Sequence, residues 1–204
     1  MSFLETLVVE NVASVLPVIL TVSDGPLTDE QFQAFCEQYP DYQLEATADG
    51  ELILMPPNYA RNDERNGELI MQLKLWAKRD GRGRVFGPTA GFRLNNGAWR
   101  APDACWVPKT RIAKLPANQQ ATRYHLTPDF VVEIRSTERL SLCRKKMQEY
   151  VDNGSELGWL IDPQNSTVTI YRQGHAPLEL IRPKEVHGEG PVAGFVLDTT
   201  DIFD

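Results

Sequence analysis

The chain has 204 residues, of which 42% are apolar, 24% charged and 9% aromatic, with a formal net charge of −7. This composition is that of an ordinary globular protein, and it excludes collagen-like and low-complexity chains. No apolar run approaches the ~18 residues that a transmembrane helix needs. Three scattered cysteines, Cys36, Cys105 and Cys143, lack metal-binding spacing, so we expect reduced thiols in a cytoplasmic protein.

The charge is distributed unevenly along the sequence. Residues 1–60 contain ten acidic and no basic residues, residues 61–150 contain 18 basic and nine acidic residues, and residues 151–204 contain three basic and nine acidic residues. A basic segment within an acidic protein is typical of a local surface for an anionic substrate. The alternative is a solvated mixture of charges on helix faces.

The domain organisation that we predict is an N-terminal extension, residues 1–27, and a single domain, residues 28–204. Residues 7–20 are apolar, but they include Glu10 and Pro17 and no basic residue precedes them. This pattern does not predict a signal peptide.

The domain begins with a predicted helix and a β-hairpin. Thr28 and Gln31 have the spacing of a capping box, which marks a helix start. Asp49-Gly50 separates residues 42–47 from residues 51–55, and this dipeptide between alternating runs predicts a two-stranded hairpin.

Residues 62–78 have helical periodicity. The apolar residues that share one stripe are Leu69, Ile70, Leu73, Trp76 and Ala77. Asn62 and Asn66 extend the stripe toward the helix start, where a polar side chain either satisfies backbone groups or faces a site. Glu68 lies nearly opposite the stripe, and we expect it to be solvated.

Two more hairpins are predicted further along the chain. Asn95-Asn-Gly97 separates residues 85–94 from residues 99–107 and places Asp103 on the returning strand. The third hairpin spans residues 158–171.

A central strand and a helix are predicted between these hairpins. The short apolar run 130–134 predicts a buried strand that carries Glu133. Residues 139–151 predict a helix, with Lys146 at the border of its apolar stripe. An ammonium group at such a border can reach inward over packed residues.

Two Pro-Asp pairs could supply a carboxylate beside Glu133. Asp129 lies four residues from Glu133 on the same strand, which separates them by ~13 Å. A single Mg²⁺ with ligands at ~2.1 Å cannot bind both. Asp103 comes from a different strand and can lie beside Glu133, so the sequence predicts the pair Asp103 and Glu133.

These groups predict a metal site. Asp103, Glu133 and the backbone carbonyl of Ile134 would give Mg²⁺ or Mn²⁺ the oxygen ligands it prefers, with one ion per site. The ion would activate a water and bind a phosphate oxygen. Lys146 would either help to deprotonate that water or offset transition-state charge. Arg135, two residues after Glu133, could clamp a phosphate but cannot act as a base.

Structural roles compete with this interpretation. The two carboxylates could be buried partners of Arg100, Arg135 or Lys146 that contribute only to stability. Lys146 could also be a lysine that extends along the helix surface to solvent. A histidine-based hydrolase is disfavoured, because the three histidines fall in polar loops and no serine has a nucleophile-elbow sequence.

The ordered motifs resemble the Uma-type endonucleases, a branch of the PD-(D/E)XK restriction-endonuclease-like superfamily. The motifs that carry the resemblance are Gly50 to Pro57, Arg65-Asn66, Pro102-Asp103, Val131 to Ser136, Lys146 to Tyr150, Asn153-Gly154, Leu157 to Pro163 and Gly194 to Leu197. Together they extend over about residues 28–203. No single piece is specific, but the ordered set is.

The resemblance implies an α/β (α+β) fold with a restriction-endonuclease-like core, in which helices flank a mixed central β-sheet that includes hairpins. It implies Asp103 and Glu133 as metal-binding acids, Lys146 as a lysine moved from strand to helix, Asn66 at a position often occupied by histidine, and a homodimer. Two departures stand out. Arg135 occupies the usual lysine slot, and Thr137-Glu138-Arg139 replaces the residues that usually follow Ser136.

The function that these observations favour is that of a Mg²⁺-dependent endonuclease cleaving DNA, with no membrane partner. The alternative is a catalytically silent DNA-binding or protein-interaction module on the same scaffold. A third hypothesis, a plain α+β interaction protein, predicts affinity for neither metal nor DNA.

Overall fold

The computed structural model describes residues 17–55, 60–120 and 123–204. The strands are β1 (Val18–Thr21), β2 (Gln43–Ala46), β3 (Glu51–Met55), β4 (Gly83–Phe86), β5 (Phe92–Arg93), β6 (Trp99–Arg100), β7 (Ala104–Pro108), β8 (Phe130–Ile134), β9 (Leu157–Asp162), β10 (Thr167–Arg172), β11 (Leu178–Ile181), β12 (Glu185–His187) and β13 (Val196–Asp198). The helices are α1 (Asp29–Gln38), α2 (Ala60–Asp80), α3 (Lys109–Ile112), α4 (Ala117–Gln120), α5 (Leu140–Asp152) and α6 (Thr200–Phe203), with a 3-10 turn at Gly190–Val192.

The central sheet has six strands in the order β11-β10-β9-β8-β7-β4. Strands β8 and β9 are parallel, whereas the other neighbours are antiparallel, so the sheet is mixed as predicted. The parallel pair is joined by α5, because parallel neighbours need a crossover connection.

The two faces of the central sheet are covered by different helices. Phe130 and Val132 of β8 pack in one core cluster with Leu73 of α2. Val131, between them, packs in a second cluster with Met147 of α5. Since side chains alternate along a strand, Glu133 projects from the same face as Val131, toward α5.

A second, five-stranded sheet has the order β1-β3-β2-β6-β5. One of its faces packs against α1 in a third cluster that includes Phe32, Phe35 and Trp99. Strand β1 is its edge strand and pairs with β3, although the sequence analysis placed residues 18–21 in the N-terminal extension. The division of the chain into an extension and a domain stays a prediction, and residues 1–16 lie outside the described part.

The predicted second hairpin was only partly correct. Its tip is present as β5 and β6, but the long strands 85–94 and 99–107 are each interrupted. The outer pieces, β4 and β7, pair in the central sheet, so the hairpin passes from one sheet to the other. Pro88 and Pro102 lie at the two interruptions, where the missing backbone N–H groups end the pairing.

Other local predictions were confirmed or extended. The Thr28 hydroxyl accepts from the Gln31 backbone N–H and the Gln31 side chain accepts from the Thr28 N–H, which is the predicted capping box. Helix α2 extends two residues further at each end than predicted. Strand β12 was not predicted. Its sequence, Glu185-Val-His187, offers a single buried apolar residue.

Two further findings concern membrane-spanning helices and the cysteines. None of the described helices is long and apolar enough to cross a membrane. All three cysteines are free thiols, and Cys105 and Cys143 are buried.

Two glycine-to-alanine substitutions test this packing. A Cβ at Gly83 would lie 2.0 Å from the Trp106 ring, and Trp106 is buried on β7. Gly83→Ala should therefore lower the free energy of unfolding by about 1–3 kcal/mol through overpacking. A Cβ at Gly67, in α2, would have no atom within 4 Å, so Gly67→Ala should raise the free energy of unfolding by about 0.5–1 kcal/mol. Urea denaturation measures both, and equal effects of the two substitutions would contradict the described packing of β4 on β7.

Candidate active site

The two predicted acids lie side by side where the central sheet meets the segment that joins it to the second sheet. Asp103 immediately precedes β7 rather than lying on it. Its Oδ2 accepts a hydrogen bond of 2.7 Å from the backbone N–H of Ile134, the residue after Glu133. This contact fixes the Asp103 carboxylate at the end of β8, so the structure brings Asp103 and Glu133 together.

Lys146 extends from α5 to this acid pair. Its Nζ lies 2.9 Å from Glu133 Oε1 and 2.8 Å from Glu45 Oε1. Only 16% of the Lys146 side chain is exposed, so it does not extend to solvent. The Tyr150 hydroxyl, one turn further along α5, donates a 3.0 Å hydrogen bond to the same Glu133 oxygen.

Glu45, which the sequence analysis missed, is the most enclosed acid of the site. It lies on β2 and is 1% exposed. Its Oε1 accepts from the backbone N–H of Ala101 at 2.9 Å, and its Oε2 accepts from Arg100 at 3.1 Å. One signal was available in the sequence. Residues 1–60 contain no Lys or Arg, so a buried acid there must take its counter-charge from a distant part of the chain.

Arg100 is bound on two sides. Besides its contact with Glu45, its Nε donates to Glu149 Oε2 at 2.6 Å. Glu149 also accepts from the Asn96 side chain at 3.0 Å. The guanidinium of Arg100 is thus a structural bridge that links β6 to β2 within the second sheet and to α5, and it donates hydrogen bonds to two protein carboxylates.

Burial and like charges govern the ionisation of the two acids. Burial raises the pKa of Asp103 to about 6, although the Ile134 N–H and Lys146 oppose that shift. Burial, together with the charges of Asp103 and Glu45, raises the pKa of Glu133 despite the contact with Lys146. Burial also acts to raise the pKa of Glu45, but Lys146 and Arg100 outweigh it and hold that pKa below its ordinary value.

The ammonium group of the site is held in its charged form. Burial alone would lower the pKa of Lys146, but the carboxylates of Glu133 and Glu45 outweigh it and raise the pKa. Burial, with the nearby Glu133 charge, also raises the pKa of Tyr150, so its hydroxyl stays a hydrogen-bond donor.

The donor set fits a hard divalent cation. Among the described residues, no group of three or more His, Cys, Asp or Glu side chains could hold a metal ion. Mg²⁺, however, is commonly bound by only one or two carboxylates, with water and substrate phosphate at its other positions. Asn66 Nδ2 donates to Asp103 Oδ1 at 3.2 Å, while the Asn66 Oδ1 is buried and has no hydrogen-bond partner. This unpaired oxygen beside the carboxylate of Asp103 favours a cation or a water at the site.

The site opens into a cleft of about 580 Å³. Among the described residues, the charged side chains that line it are seven acids and three bases: Glu45, Asp49, Glu51, Asp103, Glu133, Glu138, Glu149, Arg100, Lys145 and Lys146. The basic segment, residues 61–150, was predicted to supply a surface for an anionic substrate. Most of its 18 basic residues lie elsewhere, so the cleft itself has an excess of negative charge.

Comparison with known proteins places the chain in a family. A family model described as "putative restriction endonuclease", Uma2, matches residues 29–200. The chain belongs to the Uma2 family. No curated protein matches the chain.

A solved structure supports the fold of this Uma2 member. The crystal structure of a DUF820 protein from Anabaena variabilis, titled a putative nuclease, superposes with a TM-score of 0.72. The two chains are 23% identical, and the match covers 87% of this chain and 98% of the other. The predicted α+β nuclease fold, with a mixed sheet between helices, is therefore confirmed.

Two other residues of this Uma2 chain that were weighed from the sequence, Asp129 and Arg135, have partners outside the acid pair. Asp129 accepts from Arg111 at 2.7 Å, so it has its own counter-charge, in line with the choice of Asp103. Arg135 was expected to share the face of Glu133, where it could clamp a phosphate. Its backbone N–H donates to the Ile161 carbonyl at 2.8 Å, just beyond the end of β8, and its guanidinium pairs with Asp162 at 2.9 Å. Arg135 is not among the described residues that line the cleft.

The raised pKa of Asp103 predicts how stability depends on pH. The folded state binds the Asp103 proton more tightly than the unfolded chain, whose aspartate pKa is ~3.9. Without metal, the contribution of Asp103 to the free energy of unfolding should therefore fall as the pH rises from about 4 to about 6. Asp103→Asn cannot ionise, so at pH 8 it should be more stable than the wild type by about 1–3 kcal/mol, and this advantage should vanish at pH 4.

Urea denaturation in a chelator, at several pH values, measures this difference. Asp41→Asn, at an exposed position outside the cleft, is the matched control and should leave the pH profile unchanged. A stability difference between Asp103→Asn and wild type that stays constant from pH 4 to pH 8 would contradict the raised pKa.

Proposed function

We propose that this chain is a Mg²⁺-dependent endonuclease that hydrolyses phosphodiester bonds in DNA. The observation that carries the proposal is the pairing of two carboxylates, the half-buried Asp103 and the buried Glu133, with the ammonium of Lys146 bound to Glu133. Membership of a family described as restriction endonucleases supports the same reaction class. A purely structural ion pair would not require a second raised-pKa acid beside the first.

The ion would be held by Asp103, Glu133 and the backbone carbonyl of Ile134. When bound, it would supply a Lewis acid that lowers the pKa of a water and draws charge from the phosphate. The Ile134 N–H and the Asn66 amide fix the Asp103 carboxylate, and the Tyr150 hydroxyl fixes that of Glu133. Such outer hydrogen bonds orient ligands and maintain their geometry.

Of the two roles considered for Lys146, its contacts favour electrostatic stabilisation. A general base must lose its proton near the working pH, but two carboxylates raise the pKa of Lys146. A charged ammonium next to the acid pair would offset negative charge that develops on the phosphate. Lys146 would also donate a hydrogen bond to the attacking water and so orient it.

Cleavage of supercoiled DNA in Mg²⁺ or Mn²⁺ tests the assignment. Asp103→Ala and Glu133→Gln should each reduce nicking at least ~100-fold, since each removes several kcal/mol of charge stabilisation. Asp129→Asn is a matched control from the second Pro-Asp pair, with its carboxylate bound to Arg111, and should cleave like the wild type. If Asp103→Ala cleaved DNA at the wild-type rate, the assignment of the active site would be wrong.

Metal titration separates the nuclease from a catalytically silent module. The position of Arg135, bound to Asp162 in the usual lysine slot, is the observation that favours the silent alternative. For the nuclease we expect calorimetry to show one Mn²⁺ per chain, and no detectable binding by Asp103→Ala because half of the carboxylate set is lost. A silent module would bind DNA in a salt-dependent way without binding the ion.

A further inference from the structure

The wall of the cleft beside the acids is an apolar row on the second sheet. Ile19 on β1 is the cross-strand partner of Ile53 on β3, and Ile53 is the partner of Glu45 on β2. Cross-strand partners project from the same face, so the row runs from the buried acid outward over three strands. Met55, the partner of Gln43, lies in the next row, and all five residues line the cleft.

This row is open to solvent although the opposite face of the sheet is packed. Ile19 is 49% exposed, and Leu142 on α5, across the same cleft, is 47% exposed. Neighbouring strands are ~4.8 Å apart, so Ile53 and Ile19 stand about 5 and 10 Å from the strand of Glu45. An apolar surface exposed next to perturbed acids is characteristic of a ligand-binding groove.

The charges of the cleft argue against a bound duplex. Double-stranded DNA is held mainly by Lys and Arg side chains that neutralise several phosphates. Here seven acids face three bases, and two of those bases, Arg100 and Lys146, are each bound to two carboxylates. A strand that reaches the acid pair must therefore gain much of its affinity from something other than phosphate contacts.

We propose that Ile19, Ile53 and Met55 form a subsite for the base and sugar of an unpaired nucleotide next to the cleaved phosphate. The substrate would be single-stranded DNA, or a strand splayed out of a duplex. Within a duplex the faces of the bases are stacked on each other, so an apolar wall contacts a base face only after unstacking. The cleft volume of about 580 Å³ is in the usual range for a compact ligand and suits one or two nucleotides.

This inference rests on the proposed nuclease function, and one labelled strand in three forms tests it. The strand is offered with Mn²⁺ as a single strand, as a full duplex and as a duplex with a central unpaired bubble. The single strand and the bubble should be cleaved about tenfold faster than the duplex, and the cuts in the bubble should lie in the unpaired part. Equal cleavage of all three forms would overturn the proposal.

Substitutions in the apolar row test whether it is the source of the preference for single strands. Ile53→Ser should raise KM for the single strand about tenfold while leaving kcat and Mn²⁺ affinity unchanged, because it removes a contact remote from the reacting atoms. Since Ile53 is part-buried, Ile19→Ser on the exposed edge strand is the milder second variant, with a smaller rise in KM. Ile181→Ser, at the 76% exposed isoleucine of β11, is the matched control and should leave KM unchanged. An unaltered KM in both row variants would overturn the subsite.

Binding without cleavage distinguishes this proposal from the function on which it rests. If wild type cleaves no form, the nuclease proposal fails, but anisotropy in a chelator still measures affinity for the single strand against the duplex. Tighter binding of the single strand, weakened in Ile53→Ser, would support the subsite alone. Another occupant is a second copy of the chain. A dimer that Ile53→Ser or Ile19→Ser dissociates, in sedimentation without DNA, would assign the row to self-association and overturn the proposal.

Discussion

One carboxylate, that of Glu45, joins the parts of the molecule on which the site depends. It binds Lys146 of α5, Arg100 of β6 and the backbone N–H of Ala101, two residues before Asp103. Burying an acid costs several kcal/mol unless its charge and hydrogen-bonding capacity are satisfied, and here all three partners come from outside its own hairpin. The second sheet therefore cannot move relative to α5 and the Asp103 segment without exposing or unpairing that charge.

The distribution of cations around the three acids is unequal. Glu45 has two cations and a backbone N–H, and Glu133 shares one of those cations. Within the described part of the chain, Asp103 accepts hydrogen bonds from two neutral donors, the Asn66 side chain and the Ile134 N–H. The pKa values follow this order, with Glu45 lowered and both Asp103 and Glu133 raised. The uncompensated charge of the site is concentrated on the pair predicted to bind metal. A cation that arrives there would relieve the repulsion, whereas near Glu45 it would displace partners already in place.

Local backbone geometry made part of the candidate site predictable from the sequence. The choice of Asp103 over Asp129 required only the rise of a β-strand, and the inward reach of Lys146 required only its angle on a helix. The partner of Arg135 could not be predicted in this way, because Asp162 comes from a different strand, β9. Glu45 and the acidic lining of the cleft depend on how two sheets are positioned against each other. The hydrophobic periodicity or turn residues of a single segment do not determine how the two sheets pack. Likewise, the number of Lys and Arg residues in 61–150 does not reveal that most of these side chains lie outside the cleft.

The position of the lysine on α5 rather than on β8 follows from the same geometry. Glu133 projects from the face of the sheet that α5 covers, so an ammonium on that helix approaches it directly, in line with the Tyr150 hydroxyl one turn away. Arg135 follows the last residue of β8, and its planar guanidinium pairs with the carboxylate of Asp162. The Arg135 guanidinium thus has a structural partner, while the positive charge beside Glu133 is supplied from the helix by Lys146. The Lys146 ammonium is held between the carboxylates of Glu133 and Glu45, and it reaches that position from the helix rather than from the strand.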